Sequence, residues 1–239
     1  VLTSTASRIP ALRAAGAVPL VGNLDDAAGL QRLAGLADAV LHLAPPAGDG
    51  AADPRTARLL QALARHGRVR RIVYASTTGV YGDAQGARFD EVRAVAPATD
   101  RARRRVDAEA RVRWYGRAFG ARVTVLRIPG IYAADREGGH PRERLARGTP
   151  VLVPADDVYT NHIHADDLAR ACVAALLRAA VAIPLELGVE RIAHFAVLVL
   201  IGDAVDHFLA GPKQRLAQLN RSEEGTTKIV GQAGRRRRR

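Results

Sequence analysis

Apolar positions along the first half of the chain recur in two rhythms. Compact apolar runs at residues 1–5, 17–21, 39–44, 71–76 and 123–127 predict strands. The run Ala39-Val40-Leu41-His42-Leu43-Ala44, ended by Pro45 and Pro46, is continuous enough to predict a strand buried on both faces. Between these runs, longer segments predict helices at residues 9–15, 25–36, 56–66 and 99–119, with Gly16, Gly67 and Gly120 as stops. Asp25 or Asp26 falls where a helix N-terminus presents free N–H groups to a carboxylate. Strands alternating with helices of this length predict an α/β fold, a doubly wound parallel sheet with helices on both faces.

Beyond Tyr132 the rhythm changes. Residues 133–154 are rich in Gly, Pro and charge, as suits a loop and a small appended lobe, and residues 166–180 predict a helix with an Ala/Leu face. The most apolar stretch, residues 192–210, is interrupted by His194, Asp203, Asp206 and His207. Those residues are costly in a bilayer, so the stretch predicts a buried core helix and no membrane span. After Gly211 the chain is polar without a period, and residues 231–239 are low-complexity and expected to be disordered. The expected division is a sheet domain at 1–134, a small lobe at 135–233 whose pattern weakens after 181, and an Arg-rich tail at 234–239.

Composition changes this picture in three ways. Apolar residues make up 48% and aromatics only 4%, so the core must be built from Ala, Val, Leu and Ile. The formal charge is +12, but five of those charges are the run from Arg235 to Arg239, and no stretch interleaves basic residues with stacking aromatics. The charge therefore argues for solubility rather than a nucleic-acid partner. A single cysteine, Cys172, excludes a disulfide framework and a multi-cysteine zinc site. With no signal-peptide pattern, the expectation is a cytoplasmic protein, and the Arg-rich, Ala-rich usage resembles that of GC-rich bacterial genomes. The chain has no Met and opens inside an apolar run, so its true beginning is expected to be processed or absent.

In a doubly wound sheet, ligands lie at the carboxyl ends of the strands. Ser76-Thr77-Thr78-Gly79-Val80-Tyr81-Gly82 directly follows a buried strand, where its hydroxyls can bind a substrate oxygen or cap a turn. This segment resembles the Ser-Ser-x-x-Val-Tyr-Gly of extended short-chain dehydrogenases/reductases, the sugar-nucleotide epimerase and dehydratase superfamily. Three further segments are similar to that family in the same order. Val21-Gly22-Asn23-Leu24-Asp25 resembles its Gly-Asp-Leu-x-Asp along the adenine. Arg127-Ile128-Pro129-Gly130-Ile131-Tyr132 resembles its Arg-x-x-x-x-Tyr-Gly near the nicotinamide. Asn161-His162-Ile163-His164-Ala165-Asp166-Asp167 resembles its Val-His-Val-x-Asp at a helix start. The resemblance implies a Rossmann-type sheet and an NAD(P)-binding oxidoreductase or epimerase acting on a small molecule. It also implies cofactor contacts from Ser4, Arg8, Asn23, Leu24, Ala44, Pro45, Ser76 and Pro129.

Two departures accompany the resemblance. The family's Gly-x-x-Gly-x-x-Gly, with its strand and helix, has no counterpart, so the first β-α unit is expected to be missing. That strand is central in the sheet, and its loss predicts an exposed edge or a collapsed sheet. The family's Tyr-x-x-x-Lys falls on Arg101-Ala102-Arg103-Arg104-Arg105. Thr77 matches the family's catalytic Ser/Thr, but Arg101 and Arg105 stay protonated and cannot shuttle a proton. At i and i+4 they share one helix face, which the resemblance turns toward the cofactor, where they would bind phosphate or carboxylate.

Arg8 without an acidic neighbour tilts the expected cofactor from NAD to NADP. His162 and His164 share a strand face, but no metal site is expected, since Asp166 and Asp167 read as helix caps. The resemblance also suggests a homodimer through the helices at 56–66 and 99–119. The alternatives are a dinucleotide-binding scaffold or redox sensor without turnover, and a non-functional gene fragment with a shifted reading frame at its ends.

Overall fold

The computed structural model describes residues 1–133, 141–150, 153, 160–178 and 197–200. The chain runs β1 (Leu2–Thr3), a 3-10 turn (Ala6–Arg8), α1 (Ile9–Ala14), β2 (Leu20–Val21), a 3-10 turn (Gly29–Leu33), β3 (Ala39–His42) and α2 (Pro54–Ala64). It continues through β4 (Arg71–Thr77), a 3-10 turn (Thr78–Tyr81), α3 (Asp100–Phe119), β5 (Arg122–Ile128), β6 (Gly130–Tyr132), α4 (Pro141–Ala146), β7 (His162–His164), α5 (Ala165–Arg178) and β8 (Val197–Leu200). Six strands form one parallel sheet in the order β2-β1-β8-β3-β4-β5, and β6 pairs with β7 in a second, two-stranded parallel sheet. This is a Rossmann-type α/β fold.

Strand pleating sorts the core into two layers. Val40, Ile72 and Tyr74 point to one face, where they pack with Leu59 and Leu63 of α2 and Ala108, Val112 and Tyr115 of α3. Leu41, Val73 and Ala75 point to the other, against Leu12 of α1 and Leu168 and Cys172 of α5. The helices are capped by local chemistry. Asp53 accepts from the N–H of Arg55 and Thr56 to start α2, Thr99 accepts from the Ala102 N–H to start α3, and Gly120 ends α3 at φ +66°.

Three expectations are corrected. Residues 25–36 do not form an α-helix. Asn23 Oδ1 accepts from the Asp25 N–H and Asp26 Oδ1 from the Ala28 N–H, so side chains take the N–H groups of a first helical turn and only a five-residue 3-10 turn forms. Within the stretch at 192–210, Val197–Leu200 is a strand and not a helix; the rest of that stretch lies outside the described residues. The sheet is neither collapsed nor open at its centre, because β8 lies between β1 and β3. A strand from far down the chain thus stands where the family's first strand was expected to leave a gap. From beyond residue 134, α5 packs on a face of the main sheet and β8 pairs within it. The expected disorder at 231–239 lies outside the described residues.

Candidate functional site

Because every strand of the large sheet is parallel, all carboxyl ends lie on one edge. Ser4 follows β1, with Arg8 one turn further; Asn23 and Leu24 follow β2; Ala44 and Pro45 follow β3; Ser76 and Thr77 end β4; Pro129 follows β5. The sequence-derived positions therefore share one edge of the molecule. Five of them, Ser76, Thr77, Pro129, Arg101 and Arg105, line a single cleft of about 580 Å³ over the ends of β4 and β5. Leu168 and Ala165 of α5 close its apolar side. Ser4, Arg8, Asn23, Leu24, Ala44 and Pro45 do not line this cleft. Asn23 caps its own turn, and the Leu24 side chain is buried in the core.

Arg105 is held firmly. Its Nη1 donates to the Ala75 carbonyl oxygen at 2.6 Å and to the Tyr74 hydroxyl at 3.1 Å, and its guanidinium carbon lies 5.7 Å from the Tyr74 ring centre. Among the described residues the buried Nε of Arg105 has no hydrogen-bond partner. Arg101, one turn earlier on α3, is exposed at the cleft rim. Thr77 Oγ1 accepts from the Gly79 N–H, which caps the 3-10 turn after β4. Burial raises the Tyr74 phenol to about 12, against the lowering effect of the Arg105 charge and hydrogen bond. Tyr74 therefore stays protonated near neutral pH.

Behind the cleft lie two polar clusters whose central residues, Glu109 in one and His42 in the other, belong to none of the motifs read in the sequence. Glu109 is buried and accepts from Ser76 Oγ at 2.5 Å, from Arg127 Nη2 at 2.9 Å and Nε at 3.2 Å, and from Arg113 Nη2 at 3.0 Å. Burial pushes its carboxyl upward, but the hydrogen bonds from Arg127, Ser76 and Arg113 outweigh it, and the net shift is downward. Arg127 also donates to the Tyr81 hydroxyl at 2.8 Å, and Tyr81 donates to the Glu91 carbonyl oxygen. The Ser76 hydroxyl and Arg127 are thus committed to holding β4, β5, α3 and the 78–91 loop together.

In the second cluster, His42 Nε2 lies 2.8 Å from Thr56 Oγ1, and the Thr56 hydroxyl donates to Asp53 at 2.6 Å. Burial, with the Arg105 charge nearby, lowers His42 to about 3, so the ring is neutral. For Glu109 and His42 themselves the only sequence signal was a polar residue inside a buried strand or helix face.

Outside the cleft, His162 and His164 sit on β7. Gly130 faces His162 so closely that a Cβ there would strike the ring at 2.6 Å, and Tyr132 packs edge-on against His164. The His164 Nδ1 accepts from the Asp166 N–H. Among the described residues no helix is long and apolar enough to cross a membrane.

The model of the NAD dependent epimerase/dehydratase family matches residues 3–184. Among solved structures, the chain is similar to a dTDP-glucose 4,6-dehydratase from Streptomyces venezuelae, a double mutant with NAD bound. The identity is 26%, covering 75% of this chain and 62% of that one, with a TM-score of 0.59. It is also similar in fold to a UDP-N-acetylglucosamine 4-epimerase from Bacillus cereus, at 21% identity, 74% and 63% coverage and TM-score 0.58. A third similar fold is the UDP-glucose 4-epimerase of Thermus thermophilus in complex with NAD, at 22% identity, 67% and 60% coverage and TM-score 0.51. The chain spans about three fifths of the length of these structures. No curated protein matches the chain.

Proposed function

Because the chain belongs to the NAD dependent epimerase/dehydratase family, we propose that it binds a nicotinamide dinucleotide along the carboxyl edge of its sheet and an anionic small molecule, of sugar-nucleotide type, in the cleft beside it. The observation that carries this reading is the cleft at the ends of β4 and β5, with Thr77, Arg101 and Arg105 in its wall. Its volume of about 580 Å³ suits a small ligand.

The residues present fit the two ends of such a cofactor. Ser4 and Arg8 after β1 offer a hydroxyl and a cation to the adenosine ribose, and the lack of an acidic residue there favours NADP over NAD. The backbone of Asn23 and Leu24 would lie along the adenine, and Ala44 and Pro45 along the dinucleotide. Pro129 and the backbone of Ser76 border the nicotinamide end. A bound nicotinamide would supply or accept hydride.

The chain's own residues do less than the family pattern requires. By the family resemblance Arg101 and Arg105 take the positions of a Tyr and a Lys that would share a proton, a task a guanidinium cannot perform. Arg105, braced by the Ala75 carbonyl and Tyr74, acts as a fixed anion-binding group, and Arg101 as a second one exposed at the rim. Thr77 can donate a hydrogen bond to substrate but has no basic partner to take its proton. This supports the second reading, a dinucleotide-binding scaffold or redox sensor. Titrating the chain with NADPH and NADH by nicotinamide fluorescence, then following cofactor oxidation or reduction with sugar nucleotides, separates the readings. Binding with turnover identifies an atypical enzyme; binding without turnover identifies the scaffold. Unchanged ligand affinity in an Arg101→Ala, Arg105→Ala double variant would sink the anion-binding roles.

The partner at the α2–α3 pair is a second copy of the chain. Ala57, Leu60 and Ala64 of α2 and Ala110, Trp114 and Phe119 of α3 line an apolar groove, with Trp114 58% exposed.

A further inference from the structure

The strand order poses a physical question. Among the described residues β1 pairs with β2 and β8, and β3 pairs with β4 and β8; β1 and β3 do not pair with each other. β8 is therefore the hydrogen-bonded link between the β1-β2 pair and the β3-β4-β5 block. Its register is complete on one side, with Ala39, Val40, Leu41 and His42 opposite Val197, Leu198, Val199 and Leu200, and on the other side Leu2 lies opposite Leu200.

We propose that the space between β1 and β3 is a strand-accepting site, and that Val197–Leu200 of this same chain is its exchangeable occupant. The walls select for such an occupant. All four residues of β3 are buried, so a neighbouring strand must be apolar on both faces. Val197-Leu198-Val199-Leu200 is uncharged and half β-branched, which meets that requirement. Strands lie roughly 4.8 Å apart, so the gap admits one extended chain and no more. Emptying it would leave two rows of backbone N–H and C=O groups facing each other unpaired inside the sheet.

The occupant is joined to the rest by residues 179–196, a span that can reach up to about 60 Å when extended. Within the sheet, its hold on the slot is a ladder of main-chain hydrogen bonds. Strand addition of this kind draws affinity from the ladder and specificity from side chains on the two faces, and it can be supplied from a separate molecule. The inference rests on the family fold but not on nucleotide binding, although the occupied slot brings β1 and β3 onto the one edge proposed to hold the dinucleotide.

Amide hydrogen exchange on the unmodified chain is the first test. Residues 197–200 should be protected to within about tenfold of β3. Rapid exchange at 197–200 with β3 still protected overturns the proposal. The second test inserts a flexible protease site after Gly188 in the full chain. After cleavage the C-terminal piece should co-elute with the rest, and an excess of labelled peptide spanning residues 195–204 should replace it. The Leu198→Asp peptide should bind roughly a hundredfold more weakly, since a strand beside the wholly buried β3 must be uncharged. With no peptide added, a piece that leaves while β3 protection is unchanged overturns the proposal, as does a dimer in which the segment sits only in its neighbour. If the slot behaves as expected and neither dinucleotide binds, the nucleotide reading fails and the strand site stands.

Discussion

At the scale of single residues, the buried ionisable groups set the sharpest expectations. Glu109 is ringed by donors from Ser76, Arg113 and Arg127, so Glu109→Gln leaves Arg127 without its countercharge. We expect a loss of about 3 kcal/mol in urea unfolding, read as a lower midpoint at unchanged slope. His42 gives a pH signature. Its folded value of about 3 lies below the unfolded 6.5, so its contribution is whole above pH 6.5 and is lost as pH falls toward 3. The slope is about 1.4 kcal/mol per pH unit, and His42→Gln should flatten the stability profile between pH 6 and 4 by that amount. A profile that keeps its slope would show that His42 does not titrate this way. Neither group was legible in the sequence. A histidine in an apolar run and a glutamate in a charged helix look ordinary until the fold buries them. The Arg101–Arg105 pair was legible, because i, i+4 spacing alone puts both on one face of a helix.

At the scale of elements, turn chemistry decides where segments begin and end. Gly82 closes the turn after β4 at φ +68°, and a Cβ there would collide with the Ala96 carbonyl oxygen. Gly82→Ala should cost about 3 kcal/mol and loosen the loop that carries Glu91, whereas Thr99→Ala, which removes only the α3 cap, should cost about 1 kcal/mol. Thermal unfolding of the two variants side by side checks the ranking. The strands β3, β4 and β5 were readable as compact apolar runs alternating with helical segments, and the helices α2 and α3 by their length and their stops at Gly67 and Gly120, with α5 read from its Ala/Leu face. Residues 25–36 misled because the Asn23 and Asp26 side chains compete with the backbone for N–H groups, a contest that hydrophobic spacing does not record. Val197–Leu200 misled because a short apolar run has no period of its own.

At the scale of the whole molecule, the groove between α2 and α3 predicts self-association. The chain's one tryptophan, Trp114, sits in it, so dimerisation should shift its emission to the blue and Trp114→Glu should return the protein to monomers in sedimentation. Sedimentation unchanged by that variant would remove the helix pair as the interface. The placement of β8 has a further consequence, one of timing. Leu2 and Leu200 are neighbours in the sheet though nearly two hundred residues apart in the chain. A chain emerging from the ribosome makes β1, β3, β4 and β5 before the strand that belongs at their centre exists. The middle of this sheet is therefore its youngest part, and closing it is a long-range step of the kind that slows folding.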